Sequence, residues 1–143
     1  MADEQLVFGH NFEGLYLRGL ASRLTPELRK ELLKLGVDLN RLLPGYPVEI
    51  WMAGLRLTAR MLHQGLPPHA AYQQLGQVFM RGYFETMLGK ALLAILRVIG
   101  PERTFKRMTQ NFRTGNNFNE VTSTVLAPGH AEMWINHVLC DTP

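Results

Sequence analysis

Two segments in the first half of the chain carry apolar residues at helical spacing. The stretch LTPELRKELLKLG predicts a helix that has Thr25 as its N-cap and Pro26 in its first turn, and that ends at Gly36. A second helix is predicted over residues 47–63, because its apolar side chains fall on one side and its charged ones on the other. The segment between them, 37–47, contains two prolines and a glycine and predicts a connection.

The N-terminal segment has a less regular pattern. Residues 6–20 mix apolar side chains with three glycines, which predicts a short strand followed by a short helix.

A long helical pattern follows over residues 69–99, where Gly82 marks a point at which it divides into two helices. The second part, 84–99, is apolar on several sides. A helix of that kind is typically covered by neighbours, so the sequence predicts a central, buried helix there.

A glycine and a proline then end the central helix, at Gly100 and Pro101. They predict a short helix over 102–109, with Phe105 and Met108 facing inward.

The C-terminal part changes to a period of two. Residues 121–126 and 131–139 alternate around a Pro-Gly turn, which predicts an antiparallel hairpin. Because two strands alone make a marginal sheet, we expect the N-terminal strand or a second subunit to complete it, unless a C-terminal element is missing. The predicted fold is α+β, a single domain over 1–143 with about five helices packed on a small antiparallel sheet with a C-terminal hairpin.

Composition indicates a globular domain without a membrane span. The 143 residues are 46% hydrophobic and 19% charged, and no apolar stretch approaches the length needed to cross a bilayer. The N-terminus is acidic and lacks the basic start of a signal peptide, which favours a cytoplasmic location. A lone cysteine, Cys140, excludes an internal disulfide and is interpreted as a half-buried strand residue.

Charge is segregated along the chain. Residues 50–119 hold nine basic and two acidic residues, a formal excess of +7, while residues 120–143 hold three acidic and no basic ones. The basic excess is interpreted mainly as solvated helix faces. The alternative is nucleic-acid binding through 97–113, where basic residues lie near Phe112 and Phe118, but both aromatics are equally good core residues.

Three blocks of sequence resemble a known family. They are LTPELRKELLKLGVDLNRLLPGYPVEIW, LGQVFMRGYFETMLGKALLAILRVIGPERTFKRM and FRTGNNFNEV. They are similar, in that order, to the signature blocks of a paralogous family of unknown function that is abundant in myxobacteria. Its members are usually longer than this chain.

The order of helices and hairpin is also similar to a broader superfamily. It includes the 4-vinyl-reductase-type small-molecule-binding domains, the Bet3-like TRAPP subunits and the haem-based nitric-oxide-binding domains. The resemblance implies helices packed on an antiparallel sheet, often around an apolar pocket. It also makes regulation of a small GTPase a conceivable form of protein interaction.

Catalytic and metal patterns are missing from the sequence. The five histidines form no helical pair at i, i+4 and no Cys/His cluster, and no axial haem ligand can be matched, so neither a metal nor a cofactor is predicted. Neither serine lies in a Gly-x-Ser-x-Gly motif, and Glu85 is explained better by ion pairing with Arg81 than by acid catalysis. The chain is therefore predicted not to be an enzyme.

The run FRTGNNFNEV, residues 112–121, has two interpretations. Glycine and asparagine favour a turn between helix and strand. The other interpretation is the mouth of a pocket, which combines a few directed polar groups with apolar walls. The predicted ligand-binding residues are Tyr83, Met87, Arg113, Asn116, Asn117 and Trp134.

The predicted function is a non-enzymatic module that binds or senses an apolar small molecule in bacterial signalling. A protein-interaction or scaffold role, with a homodimer or another protein partner, is the alternative. Nucleic acid is the least favoured partner.

Overall fold

The computed structural model describes residues 3–107 and 113–137 of the chain. Within them the fold is α+β, with five α-helices and two small antiparallel sheets, as predicted. The elements, in chain order, are β1 (Leu6–Phe8), α1 (Gly9–Phe12) continuing as a π-helical segment (Glu13–Gly19), a 3-10 turn (Ala21–Arg23), α2 (Pro26–Lys34), β2 (Gly45–Pro47), α3 (Val48–Leu62), α4 (Pro68–Tyr83), α5 (Met87–Lys106), β3 (Glu120–Ala127) and β4 (His130–Asn136).

The predicted helix boundaries are confirmed by local chemistry. The Thr25 hydroxyl accepts a hydrogen bond from the Leu28 N–H at 3.2 Å and so caps α2. Thr86 caps α5 in the same way, accepting from the Gly89 N–H at 3.1 Å, and this cap separates α4 from α5. Within α5 the backbone leaves the helical region at Gly100, where φ is 79°. That kink lies at the predicted helix end.

The hairpin is confirmed, but the N-terminal strand does not complete its sheet. β3 pairs only with β4 within the described residues, through a register that includes Val121 opposite Ile135. The N-terminal strand instead pairs with β2, which lies in the segment predicted to be a plain connection. The helices therefore do not pack on a single sheet. Met108, Phe112, Cys140 and the end of the predicted strand 131–139 lie outside the described residues.

The core forms around the N-terminal helical segment. Phe12, Leu15, Tyr16 and Leu20 are completely buried, against α2, α3 and α4. A side chain at Gly82 is excluded, because a Cβ atom there would collide with the backbones of Gly14 and Gly19, and a Cβ atom on Gly14 would lie tightly against the Tyr83 backbone. α4 and the π-helical segment thus approach each other more closely than larger residues would permit.

The prediction of a buried central helix over 84–99 is wrong. Met87 is 88% exposed and Val98 is 85% exposed on α5, and Ile95 is also exposed. α5 packs against β3 and turns its half-buried residues Leu92 and Leu96 toward α3 and α4. Hydrophobicity on several sides of a helix predicts that neighbouring elements cover it. The closest approach between helical segments is instead made by Gly82 of α4, against Gly14 and Gly19.

Candidate functional site

A cavity of about 460 Å³ opens between α5 and the pair α3 and α4. Its walls are almost entirely apolar and aromatic. They comprise Val48, Trp51 and Met52 from α3, Phe79, Met80 and Tyr83 from α4, Phe84 just after it, and Leu92, Leu96 and Thr104 from α5. One end is closed by Val7, Asn11 and residues of the loop 113–119. Its size falls in the range of about 300–1,000 Å³ typical of small-molecule sites.

Aromatic packing orders the wall formed by α3 and α4. The Trp51 ring meets Phe12 edge-on, with centroids 4.9 Å apart, and Phe79 at 5.9 Å. Phe79 in turn contacts Tyr83 at 5.7 Å. Because Phe12 is fully buried, this wall is anchored to the hydrophobic core.

The loop 113–119 is fixed to the N-terminal strand by backbone hydrogen bonds. Phe8 N–H donates to the Gly115 carbonyl at 2.9 Å, and Asn117 N–H donates to the Leu6 carbonyl at 3.2 Å. Asn11 adds a side-chain bond from Nδ2 to the Gly115 carbonyl at 2.6 Å. Consequently β1 and α1 position the loop over the end of the cavity.

Two asparagines in the loop, Asn116 and Asn117, have separate structural tasks. Asn116 Oδ1 accepts from the backbone N–H groups of Phe118 and Asn119, at 3.2 and 2.8 Å, and so forms the turn. Asn117 bonds to the backbone of β1 through its side chain. The turn interpretation of this run is therefore confirmed, and the turn also forms part of the cavity wall.

Few polar groups face the cavity. The Tyr83 hydroxyl lies 3.3 Å from the Thr114 hydroxyl, and Thr104 Oγ1 donates to the Gly100 carbonyl at 2.7 Å. Asn119 differs from these, because its Oδ1 atom is buried and has no hydrogen-bond partner. A buried acceptor without a partner is uncommon in native proteins and requires an explanation.

A histidine lies behind the loop. His10 contacts Tyr83, with ring centroids 5.9 Å apart, and its Nε2 atom is buried without a partner. Burial lowers the pKa of His10, while a hydrogen bond with the Thr114 backbone and the charge of Glu13 act in the opposite direction. The neutral imidazole is therefore the form that the folded protein favours.

The structure places the six predicted ligand-binding residues in different environments. Tyr83 and Asn116 line the cavity. Arg113 and Asn117 are exposed in the loop and do not line it. Met87 at the start of α5 and Trp134 on β4 are 88% and 68% exposed, and neither lines the cavity.

Several of the residues that line the cavity were not predicted from the sequence. Trp51, Phe79, Leu92 and Leu96 lie on three different helices, and none was among the predicted ligand-binding residues. Their spacing along the chain shows that they face inward, but not that the helices leave a gap between them. Asn119 carried a local signal, because it belongs to the asparagine-rich run.

Neither a cluster of metal-ligating side chains nor a membrane-spanning helix occurs in the described residues. In 3–107 and 113–137, no group of three or more His, Cys, Asp or Glu side chains is placed to hold a metal ion. Nor is any helix of that part long and apolar enough to cross a membrane. Phe118 packs against the core, so it does not stand as an exposed stacking surface beside the basic segment.

Comparison with known proteins identifies a family and nothing closer. Residues 5–143 match the model of the family described as "Protein of unknown function (DUF2378)". No curated protein and no solved structure matches the chain. The relationship to the broader superfamily therefore stays a prediction.

Proposed function

The chain belongs to a family of unknown function, and we propose that it is a non-enzymatic module that binds an apolar small molecule in the cavity between α3, α4 and α5. The observation that carries the proposal is the cavity itself. It has a volume of about 460 Å³ and walls dominated by aromatic and aliphatic side chains. Replacing the water at such a surface with an apolar ligand lowers the free energy, because apolar surface is removed from water.

The position of α5 supports a sensing role. Leu92 and Leu96 line the cavity, while the far end of the same helix packs against β3. A ligand that fills the space beneath α5 favours the helix position that contacts it best, and the hairpin moves with that helix. Ligand binding would then shift the population of α5 and hairpin positions, which is a route from the cavity to a signalling partner.

A pair of cavity-blocking variants tests this proposal. Leu96→Trp adds bulk inside the cavity, whereas Leu93→Trp adds the same bulk at a half-buried neighbour that does not line it. The neutral apolar dye Nile red is titrated into each protein, and its fluorescence reports binding. We expect wild type and Leu93→Trp to bind alike, and Leu96→Trp to bind about tenfold more weakly or worse.

Two results would contradict the proposal. If Nile red does not bind the wild-type protein, the cavity is not a site for apolar ligands. Equal affinity in both variants would place the dye on the exposed side of α5 instead. Circular dichroism and thermal melting confirm that the two variants remain folded.

The exposed side of α5 favours a second candidate, self-association. Leu88, Ala91, Ile95 and Val98 follow the 3-4 spacing of a helix-packing seam, and all four are exposed. No charged residue interrupts the seam, so a second copy of the same helix offers a matching surface about a two-fold axis. The domain would then act as a homodimeric interaction module.

Sedimentation velocity distinguishes this candidate. We expect a dimer in wild type, a monomer in Ile95→Lys, and a dimer in Leu66→Lys, which changes an exposed leucine on the connection between α3 and α4. A wild-type protein that stays monomeric at all concentrations would exclude the seam as a dimer interface.

A further inference from the structure

We propose that His10 is a pH switch: in mild acid its imidazole becomes protonated and releases the loop 113–119 from β1, which opens the end of the cavity that this loop closes. The switch is a property of the fold, so it exists whether or not the cavity binds an apolar ligand. Three observations support it: the position of the ring, its unpartnered nitrogen and the way in which the loop is held.

The imidazole of His10 lies where three elements meet at the closed end of the cavity. Its centroid is 6.1 Å from that of the Phe8 ring on β1 and 5.9 Å from that of the Tyr83 ring on α4. The ring also forms a hydrogen bond with the backbone of Thr114 in the loop. Tyr83 and Thr114 both line the cavity, and their hydroxyl oxygens are 3.3 Å apart. A charge on His10 therefore acts directly on groups that close this end.

The two ring nitrogens of His10 have different surroundings. Within the described residues, Nε2 is buried and has no hydrogen-bond partner. The bond with Thr114 raises the pKa of His10, so Thr114 accepts through its carbonyl oxygen, and the bonded nitrogen carries a proton even in the neutral ring. Protonation would consequently make Nε2 a buried, charged donor without an acceptor, which is strongly unfavourable. The charged ring favours a state in which Nε2 reaches water.

The groups around the ring do not remove this penalty. The carboxylate of Glu13 raises the pKa of His10, but it already pairs with Arg18 at 3.1 Å. Burial has the larger effect and lowers the pKa of His10 below its ordinary value of 6.5. From the other elements, α4 presents the phenol of Tyr83, β1 presents an aromatic ring, and Arg113 of the loop is exposed. The closed loop therefore favours the neutral ring.

The loop is the element that can move away from the ring most easily. It is held to β1 by hydrogen bonds, from the Phe8 N–H to the Gly115 carbonyl at 2.9 Å and from the Asn117 N–H to the Leu6 carbonyl at 3.2 Å. Asn117 is exposed, so water can replace its bonds. In contrast, α4 approaches the backbone of the π-helical segment closely at Gly82. Releasing the loop breaks fewer buried contacts than separating those helices.

The direction of the pH effect follows from the two states of the loop. With the loop closed, burial keeps the pKa of His10 below 6.5. With the loop open, the ring meets water and its pKa returns to about 6.5. The open state therefore binds a proton at a higher pH, so its population rises as the pH falls below about 6.5. Between about pH 7.5 and 5.5, the equilibrium shifts toward the open loop by up to about tenfold.

Hydrogen exchange measured by NMR tests this switch in the wild-type protein. The amide protons of Phe8 and Asn117 take part in the bonds between the loop and β1 and so report its opening. The amide of Val37, bonded to the Leu32 carbonyl at 3.0 Å beyond the end of α2, is the control. Protection factors, corrected for intrinsic exchange rates, are compared at about pH 7.5 and 5.5. We expect protection to fall several-fold at Phe8 and Asn117 and to stay unchanged at Val37.

Two glutamine variants assign the effect to one histidine. His10→Gln keeps a side chain that can donate to Thr114 but cannot be protonated, so its protection should not depend on pH. His63→Gln is the matched control, because the Nε2 atom of His63 is also buried without a partner among the described residues but lies at the end of α3. It should keep the wild-type fall. Equal protection at both pH values in wild type, or a fall that persists in His10→Gln, would overturn the switch.

A pH titration of the wild-type protein by NMR keeps the test decisive if His10→Gln does not fold. The amide shifts of Phe8 and Asn117 should follow the titration of the His10 ring. Amides that follow the His63 ring instead, or that do not shift, would overturn the switch. Nile red binding at about pH 7.5 tests the proposed function separately, and its absence would leave the switch in place.

Discussion

Asn117 Oδ1 accepts a hydrogen bond from the Leu6 N–H at 2.7 Å, joining residues 111 positions apart in the sequence. The Nδ2 group of the same side chain donates to the Glu4 carbonyl at 2.9 Å. One amide thus pairs with the backbone of the N-terminal segment as another strand would. This contact holds the loop 113–119 against β1 and closes one end of the cavity.

Asn117→Ala is expected to lower the free energy of unfolding by about 1–2 kcal/mol, because two partly solvated hydrogen bonds are lost. Denaturation in urea measures the change. Asn40→Ala, at an exposed position between α2 and β2, is the control and should change the stability by less than about 0.5 kcal/mol. Equal stabilities of the two variants would show that the loop is not held by this amide.

Substitution by alanine is expected to have opposite effects on stability at the two glycines of α4. Gly82→Ala places a methyl group against the backbones of Gly14 and Gly19, so we expect destabilisation of about 3 kcal/mol or more. Gly76→Ala meets no atom within 4 Å and should stabilise the helix by about 1 kcal/mol. Thermal melting measures both. A neutral Gly82→Ala substitution would contradict the close approach of α4 to the π-helical segment.

Tyr16 is buried beside Thr58, with 3.1 Å between the hydroxyl oxygens. Burial raises the pKa of Tyr16 to about 12, and the hydrogen bond to Thr58 opposes that rise. In a rapid pH jump, we expect one of the four tyrosines to ionise well above its ordinary pKa of about 10. Tyr16→Phe should remove that late step.

The same substitution is expected to cost about 1 kcal/mol, since Thr58 keeps its bond to the Gly54 carbonyl and no buried group loses its last partner. Because the folded-state pKa exceeds the unfolded one, this tyrosine makes stability fall as the pH rises above about 10. A late ionisation that persists in Tyr16→Phe would assign it to another tyrosine.

The stability of the folded protein is expected to fall in mild acid because of two histidines. Burial lowers the pKa of both His10 and His63, and the positive charge of Arg23 adds to the effect at His63. The unfolded chain therefore binds protons at a higher pH than the folded one, so stability falls as the pH drops below about 6.5. Replacing both histidines with Gln should flatten the profile between about pH 7 and 5. A double variant whose stability falls as steeply as that of wild type would contradict this assignment.

Local chemistry in the sequence was sufficient to predict most elements. The Thr25 cap, the break near Gly82 and the alternation after Asn119 each correspond to an observed boundary. These features are governed by neighbouring residues, so a single sequence contains the information. The same holds for the turn formed by Asn116.

Tertiary pairing could not be derived in the same way. The apolar pattern of α5 predicted burial, but Met87 and Val98 are exposed, and the closest approach is made by Gly82 of α4 against the π-helical segment. Trp134 was predicted to bind the ligand, yet the tryptophan that lines the cavity is Trp51. Both differences concern which faces meet, and that depends on contacts between distant segments.

The position of the two tryptophans provides the most direct measurement of the central claim. Trp51 lines the cavity, whereas Trp134 lies exposed on the hairpin. A terminally brominated octanol quenches indole fluorescence on contact, so it is titrated into Trp134→Phe, which reports Trp51, and into Trp51→Phe, which reports Trp134. We expect the fluorescence of Trp51 to be quenched saturably at concentrations that do not quench the fluorescence of Trp134. Quenching of Trp134 alone, or of neither, would contradict an apolar ligand site between α3, α4 and α5.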